Sequence, residues 1–255
     1  MQENELKYYE KIANWDFSDI KYKTKKITNW DFYEKIKENT NKNSICLDLG
    51  TGGGEKVLKY YPKVKKVIGT DFSKEMIQTA NKNLKKYPEK NVEFKYMDSL
   101  NIAFPKNSFD VVSARHTIID AEGIYKVLKE NGVLVIEGID KKDCIELKDM
   151  FGRGQAYKDK ISIADIDYIN LKKAGFSSIE KIEILEDEYY ETKEDLLALL
   201  LKVPILDDFS ETEENNNFEH INTIEKDVFD KYIQKYTNEK GILLKRVLYG
   251  IVAKK

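Results

Sequence analysis

The chain predicts an α/β fold in which a mostly parallel sheet is covered by helices on both faces. Three observations carry this. From residue 44 onward, apolar runs of four to six residues alternate with helical stretches, the pattern of strand–helix–strand crossover units. A glycine-rich turn, Gly50-Thr51-Gly52-Gly53-Gly54, follows the first run. The runs bearing Asp48, Asp71 and Asp98 each deliver an acid at or near their end.

Residues 1–43 are polar and studded with aromatics, and Asn14-Trp15-Asp16-Phe17 is echoed by Asn29-Trp30-Asp31-Phe32. Two short copies do not make a repeat architecture. They predict two helical pieces, each docking a Trp and a Phe, with Asp31 capping Phe32–Glu38 and Trp30 packed beneath. Ile45-Cys46-Leu47-Asp48-Leu49 is the first strand of the body, and a helix through Tyr61 follows the glycines. The second strand is Val67-Ile68-Gly69-Thr70-Asp71. Ser73 then caps a helix that runs to about Tyr87, before Pro88. Residues 92–97 alternate as a third strand that leads into Asp98. Residues 109–114 form the fourth, 121–129 a helix closed by Asn131-Gly132, and 133–136 the fifth.

The last third reads differently. Ile163–Ala174 is a helix stopped at Gly175, and residues 179–185 and 243–253 are strands suited to a closing antiparallel pair. Helical stretches at 193–201 and 228–236 lie between them, separated by an acidic, Asn-rich loop at 207–217. The expected organisation is an N-terminal helical cap (1–43), a core (44–185 with 242–255), and a helical insert (186–241) over the open end of the sheet.

Composition narrows the function. Of 255 residues, 41% are hydrophobic, enough for a sizeable core, and 43 Lys+Arg nearly balance 45 Asp+Glu for a net charge of −2. Phosphate binding draws on a basic excess that the chain lacks, which argues against a dedicated nucleic-acid binder. Lysines 21, 23, 25 and 26 form a local basic stretch, read as a solvated helix face. Cys46 and Cys144 supply no disulfide framework, the N-terminus lacks a signal-peptide core, and no apolar run is long enough for a membrane span. A cytoplasmic location, free of membrane, is the expectation. The chain has three arginines, Arg115, Arg153 and Arg246, against forty lysines. An arginine retained under such a bias either does what lysine cannot, such as a planar bidentate contact, or is there by chance.

The glycine turn decides between ligand classes. A P-loop ends in Gly-Lys-Ser/Thr, whereas Gly54 is followed by Glu55 and Lys56. The dinucleotide fingerprint would put its third glycine at position 55, and Glu55 would face a pyrophosphate with like charge. What remains is an acid two residues before glycines at alternate positions: Asp48, Gly50, Gly52, Gly54. This resembles the first motif of the class I S-adenosylmethionine-dependent methyltransferases, whose cationic donor tolerates nearby carboxylates. Asp71, 23 residues after Asp48, suits the ribose hydroxyls. Asn107-Ser108-Phe109-Asp110-Val111-Val112 resembles the family's fourth motif, and residues 128–134 resemble the entry to its fifth strand.

The resemblance implies a Rossmann-like αβα sandwich with a mostly parallel seven-stranded sheet and a C-terminal antiparallel hairpin. It implies S-adenosylmethionine as cofactor, with adenine near Asp98 and Ser99 and ribose at Asp71 and Phe72. The remaining donor contacts would come from Asp48, Gly50, Thr51, Gly52, Gly54, Ala114 and Arg115. The segment after the fourth strand, Ser113-Ala114-Arg115-His116-Thr117, lacks the Asp/Asn-Pro-Pro-Tyr/Phe pattern of adenine amino-methylating enzymes. Neither cysteine is placed for cytosine C5 chemistry. Asp120 and Asp140 make no convincing metal cluster, so no metal is expected.

The expected activity is methyl transfer to an N, O or C nucleophile of a small molecule. RNA or protein methylation and a non-catalytic donor-binding module are the alternatives. His116 is a candidate base or a packing residue, and Arg115 a candidate anchor for an acidic acceptor group or the partner of a nearby carboxylate. Tyr8, Tyr9, Trp15 and Trp30 are candidate pocket aromatics, better read as core packing. Residues 151–155 are a candidate closing loop, and His220 is expected to be exposed. No oligomeric state is predicted.

Overall fold

A computed structural model describes residues 17–207 and 224–255. Its sheet runs in the order β1-β7-β9-β6-β5-β2-β3-β4. Five strands are parallel: β2 (Ile45–Leu49), β3 (Lys66–Asp71), β4 (Val92–Tyr96), β5 (Phe109–Arg115) and β6 (Leu128–Ile139). The long β7 (Ser178–Tyr190) and β9 (Gly241–Lys254) close the sheet antiparallel, as the sequence predicts. The seven expected strands are present. Two more join them at the margins, β1 (Tyr22–Lys26) on β7 and the two-residue β8 (Thr237–Asn238) on β9.

Alternation along the strands divides the core. Cys46, Val67, Val111 and Val135 pack under α1 (Phe32–Glu38), α2 (Glu55–Tyr60) and α3 (Lys74–Leu84). Leu47, Leu49, Val112 and Leu134 face α4 (Ala121–Val127) and α6 (Ile163–Ala174) on the other side. A third cluster lies where β7 and β9 run on past β6. There Tyr190, Ile242 and Leu244 pack against α5 (Ile145–Phe151), α7 (Lys193–Lys202) and α8 (Lys226–Tyr236). The two expected helical stretches of the insert thus cap an extension of the sheet. Among the described residues, no helix is long and apolar enough to cross a membrane.

The caps follow local chemistry. Asp31 accepts from the Tyr33 and Glu34 N–H groups, Ser73 from Met76 N–H, and Ser162 from Asp165 N–H. α6 stops at Gly175, whose φ of 103° is open to glycine.

Three expectations need correction. Residues 22–26, expected within a helical cap and a helical lysine face, form the edge strand β1, because their backbone pairs with Lys26↔Glu186 through Tyr22↔Tyr190. The helix expected to reach residue 129 ends at Val127, because Leu128 turns to extended backbone and pairs with Phe109. The loop expected at 151–155 begins inside α5, and its Arg153 is tied to Leu206 O, Asp207 and Glu225. The first helical piece, with Tyr8, Tyr9 and Trp15, lies outside the described residues, as does His220.

Candidate functional site

The strand order reverses between β2 and β5, so the connections leaving these two strands diverge and open a crevice at their C-terminal ends. The glycine turn sits there. Thr51 N–H donates to Thr70 O at 2.9 Å, and Gly52 N–H donates to the Asp71 carboxylate at 2.9 Å, so β3 holds the turn against β2. Gly52 has φ +56°, and a Cβ placed on it would meet no atom within 4 Å. That backbone stands at the rim of open space, where a ligand can approach closely. At Gly50 the reverse holds: a Cβ would lie 2.7 Å from Thr117 Cβ, so the segment after β5 packs directly on the turn.

Around this space the structure gathers the acids named from sequence. Asp48 is buried; its Oδ1 accepts from Ser113 Oγ at 2.6 Å, and Tyr61 Oη stands 3.0 Å behind that hydroxyl. Burial raises its pKa to about 6, against the pull of the Ser113 hydrogen bond. Asp71 also lies above the usual carboxylate range through burial, opposed by backbone N–H groups of Ser73, Gly52 and Phe72. Asp98 is exposed beyond β4, and its Oδ1 accepts from Leu100 N–H at 2.9 Å. That turn-forming bond leaves its other oxygen available. Phe72 and Ser99 are half-buried beside these acids. Ala114 is different, with a side chain sealed in the core on the α4–α6 side, so only its backbone reaches the crevice.

Arg115 and His116 close the site on the β6 side. Arg115 Nε donates to Glu137 Oε1 at 2.7 Å, and His116 N–H donates to Glu137 O at 2.8 Å. His116, just past β5, takes a left-handed φ of 52°, and 34% of its side chain stays accessible. Desolvation by the surrounding chain, and then the charges of Arg115, Arg246 and Lys56, hold its pKa below the ordinary imidazole value. Trp30 is buried as expected, over Gly250, and its Nε1–H donates to Glu137 Oε2 at 3.1 Å.

Ser113, Thr117 and Glu137 are the site residues that sequence reasoning missed. Glu137 carries the same signal that marked Asp48 and Asp71, an acid near the C-terminal end of a parallel strand. Asp120 and Asp140 serve locally: Asp120 O starts α4, and Asp140 Oδ1 accepts from Lys142 N–H. Among the described residues, no three His, Cys, Asp or Glu side chains are grouped to hold a metal ion.

The residues present fit S-adenosylmethionine. Thr51 is buried beside the turn, its Oγ1 set over Gly69 and within reach of the Asp48 carboxylate. Gly52 leaves the adjoining space open, and the surrounding carboxylates suit a cationic donor without phosphate.

Comparison with known proteins agrees. The family described as methyltransferase domain matches residues 40–192. An 84-residue stretch is 31% identical to the uncharacterized methyltransferase YcgJ of Bacillus subtilis, covering 33% of this chain and 33% of that protein. A demethylmenaquinone methyltransferase of Lactococcus lactis is 37% identical over 87 residues, 33% of this chain and 34% of its own length. The chain thus spans about a third of the length of these two relatives. The crystal structure of the Bacillus YcgJ protein superposes with a TM-score of 0.56 at 19% identity, covering 87% of this chain and 96% of that one. A Haemonchus contortus phosphoethanolamine N-methyltransferase, solved with S-adenosylhomocysteine, gives a TM-score of 0.52 at 19% identity, over 98% of this chain and 56% of its own.

Proposed function

The chain belongs to the class I S-adenosylmethionine-dependent methyltransferases, and on that footing we propose that it methylates an N, O or C nucleophile of a small-molecule acceptor. The observation that carries the donor site is the open space at Gly52, whose N–H is held by the Asp71 carboxylate.

In this reading Asp71 holds the ribose hydroxyls, and Asp98 with Ser99 receives the adenine end. Asp48 favours the donor's positive charge. Bound there, S-adenosylmethionine supplies a methyl carbon made electrophilic by its sulfonium. The protein's part is alignment of the acceptor and exclusion of water. Desolvation holds the His116 imidazole well below its ordinary value, so it is neutral at pH 7 and a weakened base for the proton that a hydroxyl or ammonium acceptor gives up. Once charged, it gains the attraction of Glu137 Oε1, 3.8 Å from its Nε2.

Relatives named as demethylmenaquinone methyltransferases make reduced quinones the first acceptors to try. The test is calorimetry with S-adenosylhomocysteine, followed by methyl-labelled donor offered quinols, amines, phenols, RNA and a protein extract. Label on a small molecule supports the proposal. Label only on RNA or protein overturns the acceptor class, binding without any transfer overturns the enzyme, and no binding overturns the donor site.

A further inference from the structure

Along the sheet, the ends of β4, β3, β2, β5 and β6 carry Asp98, Asp71, the glycine turn, Arg115 and Glu137 in that order. At roughly 4.8 Å between strands, β4 to β5 spans about 14 Å. If adenine lies at Asp98 and ribose at Asp71, the amino-acid end of the donor falls beyond the glycine turn, at Asp48 and Arg115. These two groups lie within electrostatic reach of each other. Their opposite charges match the ammonium and carboxylate of a free amino acid.

Arg115 is set for that carboxylate by its neighbour. Its Nε is engaged by Glu137, while its two Nη groups donate to no residue among those described. Glu137 is buried, and its side chain accepts from two directions, Arg115 Nε at 2.7 Å and Trp30 Nε1 at 3.1 Å. Its backbone oxygen holds His116 as well. A carboxylate so enclosed has little freedom, and it passes that rigidity to the guanidinium fork.

We propose that Glu137, braced by Trp30, is a positioning residue that locks Arg115 by its Nε and so presents the free Nη pair to the carboxylate at the amino-acid end of the donor. This rests on the donor-site reading above. It goes beyond it by assigning the residue that orients the Arg115 fork.

The experiment compares two nucleosides by calorimetry. S-adenosylhomocysteine carries the amino-acid end, and 5′-methylthioadenosine has the same adenosine without it. The wild-type protein is expected to prefer S-adenosylhomocysteine at least tenfold. Glu137→Gln is expected to lose most of that preference, with methylthioadenosine affinity changed less than twofold. Trp30→Phe keeps an aromatic ring over Gly250 but removes the N–H, and is expected to lose about threefold on S-adenosylhomocysteine alone. Should Glu137→Gln fail to fold, Arg115→Lys replaces it, keeping the charge without the fork, with the same selective loss expected. Equal weakening of both nucleosides, or an unchanged preference, overturns the proposal. If the wild-type protein binds neither nucleoside, the donor site itself is wrong.

Discussion

Asp48→Asn separates what the site costs the fold from what it gives the ligand. The carboxylate is only 4% exposed and receives one short hydrogen bond, from Ser113 at 2.6 Å. Burial lifts its pKa to about 6 in the folded protein, against about 3.9 in an unfolded chain, which corresponds to about 3 kcal/mol. The folded state holds the proton more tightly than the unfolded state. This group's contribution to stability is therefore complete below pH about 4 and is lost as pH rises through about 6. Asparagine keeps the shape and an oxygen for Ser113 but does not titrate. The variant should match the wild type near pH 4 and exceed it by about 2–3 kcal/mol at pH 8, read from urea unfolding at both pH values. Over the same range, wild-type affinity for S-adenosylhomocysteine should rise as Asp48 ionises, while that of the variant stays weak and flat. A variant less stable than wild type at pH 8, or a stability difference that does not change with pH, would refute the assignment of a buried charge held for a ligand.

Other substitutions test neighbouring parts of the argument. Gly52→Val places a side chain at φ +56° but against no protein atom, so it should cost about 1–2 kcal/mol in stability. It should nevertheless weaken S-adenosylhomocysteine binding more than tenfold by filling the donor's space. Arg246→Lys breaks a bidentate pair with Asp143, at 2.9 and 3.0 Å, and the link to Glu188. Urea unfolding should show a loss of about 1–3 kcal/mol, and wild-type stability would deny that network its role. Tyr249→Phe removes the 2.7 Å hydrogen bond to buried Asp167, whose pKa is pushed up to about 6 by burial. The loss should be about 1–3 kcal/mol at pH 8, where Asp167 is ionised, and smaller at pH 4.5; a pH-independent loss would contradict this.

The parallel half of the fold was legible because its signals are local. Ile45–Leu49 and Lys66–Asp71 are too short and apolar for surface helices, and Ser73 and Gly175 mark helix ends by their own chemistry. The strand β1 was not legible. Every residue of Tyr-Lys-Thr-Lys-Lys is exposed, so no alternation betrays it, and only its pairing with β7, more than 150 residues away in sequence, makes it a strand. The site divides along the same line. Asp48, Asp71 and the glycines announce themselves in short motifs. Glu137 acquires its meaning only when β6 lies beside β5 and Arg115 faces it in register.

The arginines show how a weak compositional signal becomes physical. Each of the three joins elements distant in sequence through contacts that a lysine would make poorly. Arg115 donates its Nε to Glu137 across β5 and β6. Arg153 reaches Leu206 O, Asp207 and Glu225, which flank the described insert helices. Arg246 on β9 clamps Asp143 with two nitrogens and turns its third to Glu188 on β7, whose carboxylate also accepts from Tyr190. At the buried Arg246 cluster, lysine would satisfy one carboxylate and leave the second short of a donor, at a cost of about 1–3 kcal/mol. Two of these three arginines lie where α5, α7 and α8 pack about the extended strands, and the third lies at the crevice. In a chain that uses forty lysines, the planar cation stands where α5, α7 and α8 meet β7 and β9, and at the rim of the crevice. At Arg153 and Arg246 the geometry of several acceptors, rather than charge alone, has to be met.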